Sequence, residues 1–140
     1  MCSVIHVGAG AIIGGIVGER WTALVLGVVS HIPLDLFPHI DFKDFRIDAI
    51  FSGALIFAIG LLTGFSPILF GAIGAVAPDF ENLLWKSGWI AESSKVFPTH
   101  SGLLKHGFAR LSKDVVEEIL LSLMSLGLVF VAFLRGGYFR

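Results

Sequence analysis

Long apolar segments separated by short polar interruptions dominate the pattern of this 140-residue chain. Apolar segments occupy residues 4–18 and 21–37, and a 30-residue stretch at 49–78 contains no Asp, Glu, Lys, Arg or His. The sequence TGFSP at 63–67 divides that stretch in two, and a fifth apolar segment covers 118–134. Each segment is long enough for a helix, but it is at or below the roughly 20 residues that an upright membrane span requires.

This pattern predicts an all-α fold, a polytopic membrane helical bundle of about five short transmembrane helices. A further stretch has apolar residues at 103, 104, 108, 111, 115 and 116, and this helical spacing predicts an amphipathic helix at the membrane interface. We expect one integral-membrane domain over 1–140. The predicted hairpins at 4–41 and 48–82 resemble each other weakly, and either duplication or chance explains the similarity.

Composition supports a membrane setting. The chain is 55% hydrophobic and 15% charged, with a mean hydropathy of +0.86, whereas soluble domains average about 25% charged residues. The net charge is −1 and like charges form no run, so we expect membrane lipid and no nucleic acid as a partner. The single cysteine, Cys2, excludes both a disulfide framework and a cysteine metal cluster. The oligomeric state is not predicted.

The ionisable residues fall on one side of the predicted topology. If all five segments cross the membrane, the N-terminus and the connections at 38–48 and 79–117 share one face, and this face carries all five histidines. The positive-inside rule makes this face cytoplasmic, because most of the Lys and Arg residues lie there: Lys43, Arg46, Lys86, Lys95, Lys105, Arg110 and Lys113, against Arg20, Arg135 and Arg140.

His31 and Asp35 stand four residues apart at the end of the second segment. On a helix this spacing places both side chains on the same face, where an imidazole nitrogen and a carboxylate oxygen can reach one divalent ion. Pro33 lies between them and predicts a kink. Ionisable residues within a membrane segment mark a functional site by default. The alternative interpretation is a buried hydrogen-bonded pair or a helix cap at the interface.

Other metal-type ligands reach the same predicted face. Asp79 and Glu81 follow the fourth segment, and His100 and His106 lie in the long connection after it. Taken singly, each has a simpler interpretation: Asp79 as a helix exit signal, and the histidines as solvated loop residues. His39 and Asp41 can likewise do no more than end a helix. The convergence of several elements on one face nevertheless favours a metal site, with zinc first and manganese or iron as alternatives.

The motifs SHIPLD at 30–35, APDFEN at 77–82 and FPTHS at 97–101 follow a Gly-rich first helix that begins near His6. Together they resemble the small membrane-bound metal-dependent hydrolases related to the LexA-regulated inner-membrane protein, a group distantly similar to zinc-dependent phospholipase C. The order differs from the commoner one, since the His-x-x-x-Asp helix comes first. The usual Pro-Asp-x-Asp-His stretch also lacks its histidine here, because Asn82 occupies that position.

The resemblance implies a metal set and a reaction. By position, the ligands would be His6, His31, Asp35, Asp79 and His100, with His106 as a candidate replacement for the missing histidine. The implied activity is metal-dependent hydrolysis of a phosphoester or phospholipid at the membrane surface, with Asp79 or Glu81 as the catalytic proton acceptor. The alternative is a non-catalytic membrane protein with a structural or metal-binding role. Mid-span ionisable residues are lacking, which argues against a transporter.

Overall fold

Helices form every regular element in the described part of the chain. A computed structural model describes residues 3–36 and 44–104. Its elements are α1 (Ser3–Val17), α2 (Arg20–Leu36), α3 (Phe45–Thr63), α4 (Pro67–Val76), α5 (Asp79–Lys86) and a 3₁₀ turn at Glu92–Ser94. The all-α prediction is confirmed for these residues.

Polar side chains and glycines fix the helix boundaries. Gly18 has a φ of +72° and ends α1, and the Glu19 carboxylate then accepts the backbone N–H groups of Trp21 and Thr22 at the start of α2. These hydrogen bonds lower the pKa of Glu19, the one from the Thr22 backbone most strongly. Ser66 caps α4 by accepting the N–H of Leu69. Both tight turns predicted between apolar segments are therefore present.

α4 lies at the centre and packs against α1, α2 and α3. Glycines allow its backbone to touch those of its neighbours. A Cβ on Gly10 of α1 would overlap the Gly71 carbonyl oxygen, and a Cβ on Gly74 would overlap the Leu24 carbonyl oxygen of α2. The glycines of the first helix therefore allow it to pack closely against α4. The buried apolar core is correspondingly small and is made of Val7, Ala11, Ile59, Ile68, Leu69 and Ala72.

The number of membrane spans differs from the sequence expectation. Within the described ranges, only α3 is long and apolar enough to cross a membrane alone. α4 and α5 meet that criterion only as a pair bent by 46°, and α1 is a shorter apolar helix. Five complete spans are therefore not supported. α4 ends at Val76, and the chain changes direction at Pro78 before α5 begins. The two helices therefore do not form one straight span.

Several predictions fall on residues that the structure does not describe. The fifth apolar segment at 118–134, most of the predicted interfacial helix, and His39, Asp41 and His106 lie outside the described ranges. The single-domain organisation and the internal repeat stay predictions.

Candidate metal centre

Five ionisable side chains from four parts of the fold meet at one end of the helix bundle. α1, α2 and α5 bring His6, the pair His31 and Asp35, and Asp79, while the segment after the 3₁₀ turn brings His100. All five are enclosed: His31 and Asp35 are 0% exposed, and His6 is 3% exposed. The structure thus brings together all five ligands that the family resemblance implies; their role as metal ligands stays a prediction.

α2 supplies two donors because it stays helical through Pro33 as far as Leu36. The i, i+4 spacing therefore holds, and His31 Nε2 lies 3.2 Å from Asp35 Oδ2. The ring nitrogen His31 Nδ1 lies 2.6 Å from the Ala75 carbonyl oxygen of α4. A carbonyl oxygen only accepts, so Nδ1 carries the proton and Nε2 presents its lone pair to the cluster.

The donor atoms of His31, Asp35 and His100 have the spacing of ligands that share one ion, and an oxygen of Asp79 lies beside them. His31 Nε2 lies 3.3 Å from both Asp79 Oδ1 and His100 Nε2. His100 Nε2 in turn lies 3.3 Å from Asp35 Oδ2 and 3.7 Å from Asp79 Oδ1. Zinc bonds of about 2.0–2.1 Å at tetrahedral angles place neighbouring donors about 3.3 Å apart. The atoms of His31, Asp35 and His100 can therefore share one ion.

A hydrogen-bonded cluster without an ion explains this arrangement less well. His31 Nε2 is almost equally far from Asp35, Asp79 and His100, yet a single N–H can point at only one acceptor. Asp79 is 9% exposed, and its Oδ1 has the His31 and His100 Nε2 atoms 3.3 and 3.7 Å away. A buried carboxylate is costly unless a cation compensates it. The buried His and Asp groups could thus hold a metal ion.

Asp35 is the shared member of the cluster. Its Oδ2 faces His31 and His100 and also accepts a 2.6 Å hydrogen bond from the Thr99 hydroxyl. Its Oδ1 lies 3.4 Å from His6 Nε2. The ring of His6 stacks beside that of His31, with centroids 4.0 Å apart. His6 thus contacts the second oxygen of Asp35, opposite the oxygen that faces His31 and His100.

Glu81 lies behind His100 rather than among the clustered donors. Its carboxylate accepts the backbone N–H groups of Val96 and Phe97, and its Oε2 lies 3.6 Å from His100 Nδ1. Residues two apart on a helix do not face the same way, so Glu81 points away from the direction of Asp79. Its carboxylate therefore ties the loop that carries His100 to α5.

Lys95 provides a second attachment for the same loop. Its ammonium lies 3.4 Å from the ring centroid of Trp85 on α5, a cation–π contact that holds the loop against the helix. Burial lowers the pKa of Lys95, while the charges of Glu92 and Glu81 act in the opposite direction. The segment that leads to His100 is thus attached to α5 through Lys95, Val96 and Phe97.

Removing the Glu81 carboxylate should weaken metal binding without removing a donor. We expect Glu81→Ala to lower zinc affinity about 10–100-fold, the range typical of groups that orient a ligand. Glu92→Ala, an exposed acid on the same loop, should leave the affinity unchanged. Competition with a chromophoric chelator measures both; equal affinities in the two variants would show that Glu81 does not position His100.

Sequence reasoning missed two contributors. Thr99 was not identified, although its place directly before His100 was a usable indication that its hydroxyl could enter the site. The Ala75 carbonyl could not have been found, because no side chain marks it and only the packing of α4 against α2 brings it to His31. His106 lies outside the described residues, so its predicted role stays untested.

No protein family, curated sequence or solved structure matches the chain. The likeness to membrane-bound hydrolases therefore stays a hypothesis. The interpretation of the site depends on its own geometry and donor chemistry.

Proposed function

We propose that the protein is a metal-dependent hydrolase that acts at a membrane surface on a phosphoester, with phospholipids as the expected substrate class. The observation that carries this proposal is the enclosed set of His31, Asp35 and His100 donor atoms, with Asp79 Oδ1 beside two of them. Imidazole and carboxylate ligands without thiolate favour zinc, with manganese or iron as alternatives.

Three of the donors form a sufficient ligand set. His31, Asp35 and His100 each offer an atom within 4.8 Å of the others, and catalytic zinc sites commonly use three protein ligands and keep the fourth position open. Asp79 approaches that fourth corner more loosely, since its Oδ1 lies 3.7 Å from His100 Nε2, whereas Asp35 Oδ2 lies 3.3 Å from the same nitrogen. This corner is where we place the reaction.

An ion held by His31, Asp35 and His100 would supply Lewis acidity and lower the pKa of a water. Asp79 would accept the proton of that water, because its Oδ1 lies beside the donor atoms of His31 and His100. Glu81 is less suited, since backbone N–H groups already occupy its carboxylate. Thr99 and His6 would hold Asp35 in position through its two oxygens, and Ala75 would hold His31.

The exposed surface supports membrane insertion. α3 is 19 residues long with an apolar window that is only 17% buried, so it is not a core helix of the described bundle. Large apolar side chains also cover the outward faces of α1 and α2, including Ile16, Val25 and Val29. We further propose that these helices and the bent α4–α5 pair insert beside α3. The Lys and Arg distribution would place the metal centre on the cytoplasmic face.

Asp79→Asn tests the catalytic assignment. We expect the purified variant to retain zinc while hydrolysis of p-nitrophenyl phosphorylcholine falls about 10²–10⁴-fold, the usual contribution of a positioned proton acceptor. Asp44→Asn is the matched control, because Asp44 is an exposed helix cap. Wild-type activity should disappear when zinc is stripped and return when zinc is restored.

A structural metal site is the second candidate, and the enclosure of the cluster favours it. Four protein donors that complete a tetrahedron are typical of closed, structural zinc sites. In that case Asp79 is a ligand, so Asp79→Asn would lose zinc and stability together. A wild-type protein that binds zinc and hydrolyses no phosphoester would then be the expected result.

A further inference from the structure

A largely apolar cavity of about 430 Å³ opens directly beside the metal centre. It lies between α3 on one side and the bent α4–α5 pair on the other. Its volume is in the range of about 300–1,000 Å³ that small-molecule sites usually have. Most of its wall is apolar, formed by side chains such as Ala49, Ile56, Ile73 and Val76.

The polar groups of this cavity lie at the end that meets the metal centre. Asp79 lines the cavity and is also a member of the donor cluster. Ser3 and Asp48 lie at the same end, and Asp48 accepts hydrogen bonds from both the backbone N–H and the hydroxyl of Ser3. A molecule in the cavity would therefore have an apolar part along α3 and a polar part at Asp79.

The charges around the cavity indicate the sign of that polar part. Lys86 lines the cavity and is exposed, with its ammonium 5.9 Å from the ring centroid of Phe45. Asp48 is already engaged by Ser3, and a divalent ion would offset the charges of Asp35 and Asp79. The combination of Lys86 and a metal ion complements an anionic group such as a phosphate.

We infer that this cavity takes the hydrocarbon chain of an amphiphilic phosphoester and presents its phosphate to Lys86 and to the metal centre beside Asp79. The inference deepens the proposed function and rests on it, because hydrolysis of the phosphoester requires the metal centre. Two observations support the inference: the apolar wall and Asp79 of the metal centre belong to the same cavity, and Lys86 lines that cavity as well. The substrate class is thus a phosphoester with a long alkyl chain, bound with that chain between α3 and α4.

Photolabelling tests the placement of the chain. The probe is dodecyl phosphate with a diazirine at the end of its chain, applied to detergent-purified protein with and without zinc. We expect labelled peptides to contain cavity residues such as Ile56 and Ile73 in both forms of the protein. Gly53 lines the cavity, and a Cβ there would meet no atom within 4 Å, so Gly53→Leu should fill space and lower this labelling about tenfold.

Ala54→Leu is the matched control, since Ala54 is exposed on the same helix and does not line the cavity. It should label as wild type does, and the zinc-loaded samples of wild type and both variants should contain equal amounts of zinc. Label spread over outward residues such as Phe57 and Leu61 would overturn the inference. The inference would also be overturned if the cavity residues stayed unlabelled because residues 118–134 or a second copy of the chain filled the cavity.

The two proposals fail separately in this experiment. If the cavity were labelled in a protein that binds no zinc, the hydrocarbon-binding cavity would be supported and the metal-dependent reaction would be contradicted. Zinc binding and hydrolysis without cavity labelling would contradict the hydrocarbon-binding cavity alone.

Discussion

Replacing Asp35 by asparagine should abolish zinc binding. Asp35 is 0% exposed, and its two oxygens contact His6, His31, His100 and Thr99. Asparagine keeps the shape but removes the charge that a divalent ion requires. The affinity should fall by more than the roughly 10–100-fold that orienting groups contribute, and any hydrolysis should be lost with it. Isothermal titration of metal-stripped protein with zinc measures the loss.

Asp44→Asn is again the control for this substitution. Asp44 is exposed and caps α3 by accepting the Arg46 N–H, a role that asparagine fills equally well. Its zinc affinity should equal that of wild type. If Asp35→Asn bound zinc as tightly as Asp44→Asn, then Asp35 would be part of a buried hydrogen-bonded cluster and not a metal ligand.

Replacing Gly71 by leucine should separate α1 from α4 and dismantle the site. A Cβ at Gly71 would overlap the Gly10 carbonyl oxygen, and a backbone contact of this kind cannot give way as a flexible side chain does. Overpacking usually costs 1–3 kcal/mol, and we expect about 3 kcal/mol or more here because two backbones must move apart. Displacing α1 also displaces His6, so zinc affinity should fall with stability.

Gly53→Leu is the control for that prediction, because it is the same substitution on α3 in open space. Thermal unfolding in detergent should give a midpoint near that of wild type for Gly53→Leu and a much lower midpoint for Gly71→Leu. Equal midpoints would show that the α1–α4 contact contributes little to the fold.

Much of the helix pattern was predictable because apolar segments and their interruptions are visible in the sequence. The first two segments at 4–18 and 21–37 correspond to α1 and α2 within about one residue at each end. The length of α4 was not predictable. Pro78 could either continue a kinked span or end it, and the choice depends on how α5 packs.

The sequence predicted which side chains cluster, but not all of the contacts that hold them in place. The i, i+4 spacing of His31 and Asp35 predicted that pair, and the family resemblance added His6, Asp79 and His100. The roles of Glu81 and Asp79 could have been separated by helix geometry, since residues two apart face different directions. The contacts of Thr99 and of the Ala75 carbonyl could only be seen in the tertiary structure. Thr99 is 64 positions from its partner Asp35, and Ala75 is 44 positions from its partner His31.

Zinc-edge X-ray absorption of the purified, zinc-loaded protein tests the central claim most directly. A single ion held by His31, Asp35 and His100 predicts a first shell of nitrogen and oxygen scatterers at about 2.0–2.1 Å, with outer-shell features of imidazole and no sulfur. Failure to retain zinc, a shell without imidazole, or a sulfur contribution would contradict the claim that these buried side chains form a metal centre.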